Sequence, residues 1–174
     1  MYTRKPKSLN AMTARAFFKR WAWVGVSLWI AANAASAVEA TQPLPRLDIA
    51  EVQQSKGQFI YIDFWASWCG PCRQSFPWMN ALHAKYASRG LKVVAINVDA
   101  KRTDADQFLA HTPAQFAVSF DAPGESAKRL AIKAMPTSVL VNPEGRVVWV
   151  HTGFRKEDGP ELEARIAKAL MLQP

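Results

Sequence analysis

A chain of 174 residues, 49% hydrophobic and 21% charged, suits one globular domain built on a single core. Its formal charge of +8 suggests a nucleic-acid or membrane-surface partner, but Arg4, Lys5, Lys7, Arg15, Lys19 and Arg20 precede residue 38, where no acid occurs, and the rest sets 16 basic against 14 acidic residues. The basicity therefore belongs to a leader, and a nucleic-acid partner is excluded.

That leader has a basic start, an uncharged run from Trp21 to Ala37 with a short apolar core, and Ala35-Ser36-Ala37 as a small-x-small site. These are the three parts of a secretory signal peptide, so residues 1–37 read as an export signal cleaved after Ala37, with Met12 offering a more compact start. An uncleaved anchor is the alternative and would tether the protein to a membrane, but the run is short for a spanning helix of about 20 residues. Residues 38–46, VEATQPLPR, carry two prolines and no periodicity and read as a flexible linker to a domain over 47–174.

Asp48 can cap a short helix, IAEVQQSK, that stops at Gly57. Phe59 to Trp65 is β-branched or aromatic except for Asp63, which reads as a buried strand. Cys69-Gly70-Pro71-Cys72 follows at once and opens an amphipathic helix from Pro71 to about Ser88, with Phe76, Met79, Leu82, His83 and Tyr86 at helical spacing. A kink is expected at Pro77 and a stop at Gly90. Leu91 to Val98 is apolar at nearly every position, as in a strand covered on both faces. A short helix from Thr103 or Asp104 to about His111, a strand at Phe116 to Phe120 and a helical segment at Gly124 to Ala131 come next. Thr137 to Asn142 and Arg146 to His151 are strands whose Asn142-Pro143-Glu144-Gly145 turn is short enough to require antiparallel pairing. A last helix follows Asp158 or Gly159, with Leu162, Ile166, Ala169 and Leu170 on one face. Parallel strands with helical crossovers, closed by an antiparallel hairpin, predict an α/β fold: a three-layer α/β/α sandwich around a mixed central sheet.

The chain has two cysteines, three positions apart. A bridge closing so small a loop removes little entropy from the unfolded chain, so redox exchange explains the pair better than stabilisation does. Exchange needs a thiolate nucleophile, a second thiol that releases the mixed disulfide, and control of the proton between them. Cys69 is the candidate nucleophile, exposed where the strand gives way to a helix N-terminus whose free N–H groups and dipole favour an anion. Cys72, one turn into the helix and shielded, is the candidate resolving thiol. Asp63 is the candidate base, because burial among apolar neighbours raises a carboxyl pKa toward neutrality. The sulfurs carry the electrons themselves, so no cofactor is expected.

The run Asp63-Phe64-Trp65-Ala66-Ser67-Trp68-Cys69-Gly70-Pro71-Cys72 resembles the active-site segment of the thioredoxin family, and Met135-Pro136-Thr137 resembles its cis-proline loop. Pro77 and Gly153 match that family's kinked helix and the glycine after its last strand, and the similarity spans about residues 47–172. It implies the thioredoxin fold, a cis Pro136 against the disulfide, Met135 offering backbone hydrogen bonds to an extended substrate, and a substrate-contacting rim of Trp68, Gly70, Pro71, Met135 and Pro136. The leader, the extra segment at about 103–131 and the run from Phe116 to Val147 are similar to exported TlpA/ResA-type thiol:disulfide oxidoreductases. That resemblance implies a periplasmic reductant serving cytochrome c or cytochrome oxidase maturation. Its implied partners are disulfide-containing periplasmic proteins and a membrane electron donor. The chain departs from that group in lacking its N-terminal hairpin and in carrying Cys-Gly-Pro-Cys and Asp63; it departs from thioredoxin in having Ala95 where that protein has a lysine.

Two rivals come from other classes. A zinc site wants four ligands, whereas here one cysteine pair is joined only by His83, His111 and His151, none near Cys69 in sequence, so no metal is expected; copper binding to the reduced pair is the nearest version of that rival. A redox-inert binding module could use Trp65 and Trp68, but intact cysteines argue against inertness.

Overall fold

The structure, a computed structural model, describes residues 41–171. The signal-peptide reading of residues 1–37 and the first part of the linker lie outside the described residues. Five strands form one sheet: β1 (Phe59–Trp65), β2 (Leu91–Asn97), β3 (Ala117–Phe120), β4 (Thr137–Val141) and β5 (Val147–Thr152). Their order is β3-β2-β1-β4-β5; β1 pairs β2 and β2 pairs β3 in parallel, whereas β1 with β4 and β4 with β5 are antiparallel. This is the expected mixed sheet, with β1 central and buried along its whole length.

Side-chain alternation along β1 divides the core. Phe59, Tyr61 and Trp65 point to one face, where they meet Phe76, Met79, Leu82 and Tyr86 of α2 (Cys72–Tyr86), Ala105 and Phe108 of α3 (Arg102–His111) and Ile166 of α5 (Gly159–Met171). Ile60, Ile62 and Phe64 point to the other, against Val52 of α1 (Ala50–Gln54) and Ala127 of α4 (Glu125–Arg129). Each fully buried large apolar side chain here contributes roughly 1.5–3 kcal/mol, and the two faces together make the three layers. Asp63 has the parity of Tyr61 and Trp65, so its carboxyl belongs to the α2 layer.

Some local expectations change. Asp48 does not cap α1, whose N-cap is Ile49 without a side-chain bond; its carboxylate pairs instead with Arg46 at 3.2 Å and Arg129 at 3.0 Å, because two guanidinium groups outcompete one helix terminus. Residues 41–44 are no free linker: Thr41 N–H donates to Val147 O, Val147 N–H to Gln42 O and Leu44 N–H to Gly145 O, adding a short edge beside the β4–β5 turn. The helix after the cysteines runs through Pro77 to Tyr86, tightens into a 3₁₀ turn over Ala87–Arg89 and ends at Gly90, whose φ of 86° an L side chain rarely adopts.

Candidate active site

β1 delivers its last residue, Trp65, to the carboxyl edge of the sheet, and the chain turns there so that Cys69 N–H donates to Ala66 O at 3.1 Å. A buried clamp holds that turn. Asp99, 4% exposed, accepts from Ser67 N–H at 2.8 Å, from Ser67 Oγ at 3.0 Å and from Asn97 Nδ2 at 2.7 Å, and its own N–H donates to Asn97 Oδ1 at 3.1 Å. Three donors on one carboxylate make a rigid mount for the cysteine loop. The sequence reading missed Asn97, Asp99 and Ser67; the available signal was the polar pair closing the apolar run LKVVAINVD.

Cys69 and Cys72 form a disulfide with an S–S distance of 2.05 Å. Cys72 is the first residue of α2, not one turn inside it, because the helical hydrogen bonds begin only with Arg73, Gln74 and Ser75 donating to Gly70 and Pro71. Its N–H donates to Cys69 Sγ at 3.2 Å, which places Cys69 where a helix start stabilises negative charge. Cys69 was expected to be exposed, yet it is only 3% accessible and Cys72 is fully buried. The loop carries both cysteines into the buried cluster that holds Trp65, Phe76 and Met79, so the bridge is recessed. The exposed positions are the neighbours: Trp68, 72% accessible, with Gly70 and Pro71.

α3 walls one side of this rim. Phe108 packs on Trp65 and Phe76 with ring centroids 4.7 and 5.0 Å away, and Arg73 lies 6.0 Å over the Phe108 ring. Between α3 and the cysteine loop runs an open groove lined by Trp68, Arg73, Asp104, Gln107, Phe108 and His111. On the opposite side, β4 begins at Thr137 beside Phe64, which brings the preceding Pro136 to the same carboxyl edge of β1. The Met135–Pro136 bond is cis, Pro136 O accepts from Gly153 N–H at 2.7 Å, and Met135 packs against the cluster that holds both cysteines.

Asp63 is 1% exposed beneath this edge. It sits opposite Ala95 on β2 and Ser138 on β4, and Ser138 Oγ donates to its Oδ1 at 2.7 Å while Oδ2 is buried with no protein partner. Burial pushes its carboxyl pKa up to about 7, the Ser138 bond pulling the other way. Such a group can take or give a proton at neutral pH. Among the described residues, no three His, Cys, Asp or Glu side chains converge as metal donors, and no helix is long and apolar enough to cross a membrane.

The fold and site have counterparts among known proteins. Residues 31–168 match the model of the redoxin family. A solved structure described as a putative thiol:disulfide interchange protein DsbE from Chlorobium tepidum is 44% identical, with a TM-score of 0.74 over 77% of this chain and 99% of that one. The thiol-disulfide oxidoreductase ResA of Bacillus subtilis is 33% identical over 107 residues, 62% of this chain and 60% of that protein. The ResA of Bacillus thuringiensis subsp. konkukian is 32% identical over 118 residues, 68% of this chain and 67% of that protein. The matched stretch thus spans about three fifths to two thirds of those two relatives. With its central Cys69–Cys72 pair, its mixed sheet and a family match over residues 31–168, the chain belongs to the redoxin family, in the thioredoxin-like fold.

Proposed function

We propose that this protein is an exported thiol:disulfide oxidoreductase that reduces disulfides in periplasmic proteins, with Cys69 as nucleophile, Cys72 as resolving thiol and Asp63 as the proton acceptor for Cys72. The observation that carries this reading is the recessed Cys69–Cys72 bridge at a helix start, in the same layer as a buried carboxyl with one free oxygen. In the reduced protein the Cys69 thiolate attacks a substrate disulfide, forming a mixed disulfide and releasing one substrate thiolate. Cys72 then loses its proton to Asp63 Oδ2 and attacks Cys69 Sγ. The Cys69–Cys72 bond closes, the second substrate thiolate leaves, and the substrate has gained two electrons. A membrane dithiol donor would restore the protein to its reduced form.

Export rests on the three-part leader, and the client class we propose is cysteine-bearing proteins of cytochrome c or cytochrome oxidase assembly, on the likeness to TlpA/ResA-type reductants. Trp68, Gly70, Pro71, Met135 and Pro136 are the proposed substrate rim, consistent with the exposed loop beside the bridge. The reducing direction follows the Gly-Pro dipeptide shared with thioredoxin, whose potential is about −270 mV. An equilibrium titration against glutathione tests it. A potential well below about −180 mV agrees with a reductant, whereas one above that value makes the protein an oxidant or isomerase. In an insulin-disulfide reduction assay, full activity in Cys69→Ser would turn the reading toward a binding module.

A further inference from the structure

The antiparallel register puts Ser138 beside Asp63 and Leu140 beside Tyr61, and strand alternation places Tyr61 and Asp63 on one face. The Ser138 hydroxyl stands between them, 2.8 Å from Tyr61 Oη and 2.7 Å from Asp63 Oδ1, and all three residues are at most 3% exposed. Hydrogen counting then settles the direction of the chain. The Tyr61 phenol keeps its proton, since burial first and the Asp63 charge second push its pKa well above the usual value, against the bond to Ser138. A buried O–H left unbonded is costly, and Ser138 Oγ is the partner of Tyr61 Oη, so that hydrogen goes to Ser138. Ser138 has one hydrogen of its own, which goes to Asp63 Oδ1.

We propose that Ser138 and Tyr61 are positioning residues that hold Asp63 Oδ1 as a permanent acceptor, so that the proton exchanged during catalysis is carried by Oδ2 alone. The inference rests on the proposed role of Asp63 as acceptor for Cys72 and deepens it. Were Oδ1 open to protonation, part of the neutral carboxyl population would carry its hydrogen there, toward Ser138 on β4. The Tyr61→Ser138→Asp63 chain opposes that population, because three hydrogens would then share two contacts: the Ser138 hydroxyl would have to turn, and one buried hydroxyl hydrogen, its own or that of Tyr61, would be left unbonded. Oδ2, the oxygen without a protein partner, remains for the thiol.

The neighbours leave the assignment to this relay. From β1 the titratable group on this face is Tyr61; β2 offers Ala95; β4 offers Ser138; α2 offers Cys72, and Ser75, whose hydroxyl donates to Cys72 O. β5 contributes His151, opposite Ser138, with a buried Nε2 that has no partner. α3 and α5 contribute Ala105, Phe108 and Ile166 to the same layer. Among the described residues, no ion pair includes Asp63.

The test follows the Asp63 carboxyl carbon by 13C NMR through a pH titration of the full chain, and in parallel the pH profile of disulfide exchange. Ser138→Ala should raise the carboxyl midpoint by about one pH unit, a tenfold weaker acid. Ser138→Thr, which keeps the hydroxyl, should restore the wild-type midpoint, and Tyr61→Phe should raise it by less and add nothing once Ser138 is gone. The exchange profile should move with the carboxyl, and Asp63→Asn should remove that limb of the profile. Wild-type midpoints in both Ser138→Ala and Tyr61→Phe would overturn the relay even if Asp63→Asn still impaired exchange. A carboxyl shift that the exchange profile does not follow upholds the relay and removes Asp63 as the base of Cys72, which separates the two claims.

Discussion

Asp63 lies directly opposite Ala95 across the parallel β1–β2 pair, so a fully buried methyl stands beside the buried carboxyl where thioredoxin has a lysine. The charge of Asp63 therefore meets a hydroxyl on one side and hydrocarbon on the other, and burial dominates its titration. A carboxyl in that setting has two measurable signatures, one in stability and one in proton transfer.

The first concerns pH and stability. Asp63 titrates near 3.8 when unfolded and at about 7 when folded, so between those values the folded protein binds the extra proton. The Asp63 contribution to stability is therefore greatest below about pH 4 and falls by about 1.4 kcal/mol per pH unit until about pH 7, above which it is constant. Asp63→Asn should abolish that slope, so in urea unfolding the variant gains on the wild type from pH 5 to about pH 7 and the difference then levels off toward pH 8. A difference that stays constant from pH 5 to pH 7 would mean that folded Asp63 does not titrate there, against the pKa of about 7 that its burial implies.

Trapping tests the order of attack. Cys72→Ser should accumulate mixed disulfides through Cys69 when the reduced variant meets exported proteins, while Cys69→Ser should not. Non-reducing gels and mass spectrometry of the captured partners check it, and equal capture by both variants would contradict the assignment of Cys69 as nucleophile.

The clamp beneath the loop should matter for both stability and rate. Asp99→Ala leaves Ser67 N–H and Asn97 Nδ2 without their acceptor and should cost about 2–3 kcal/mol. Because the loop carries Cys69, the exchange rate should fall as well, with the Asp63 titration unchanged. Thermal unfolding together with insulin reduction measures the two effects.

Trp68 should behave in the opposite way. At 72% exposure it adds little to the core, so Trp68→Ala should change stability by no more than about 0.5 kcal/mol. As an aromatic side chain at the rim of the bridge it should contribute about 1–2 kcal/mol to docking a protein substrate. KM for a protein disulfide should rise several-fold, with little change toward a small disulfide such as oxidised glutathione.

Much of this architecture is legible locally. Phe59 to Trp65 reads as a buried strand because seven residues with one polar interruption admit no exposed face, and β1 has those bounds. The hairpin was readable because four turn residues leave no other pairing, and the helix stop because Gly90 tolerates a positive φ. Less was legible wherever a residue's role depends on a partner far along the chain. Asp48 fits a helix cap by spacing, but Arg129 is brought to it by α4. Residues 41–44 look unstructured until the β4–β5 turn supplies their backbone partners.

The amino-acid order alone determined the redox pair, its place at a strand-to-helix junction and the apolar setting of Asp63, because these follow from neighbours within a dozen residues. Only the tertiary structure decided that the bridge is recessed, that Asp99 holds the loop and that Ser138 occupies one oxygen of Asp63, contacts 32 and 75 residues apart in sequence. The physical reason is that burial and hydrogen-bond partnership across a sheet are set by strand register, which a linear pattern constrains only after the strands have been paired.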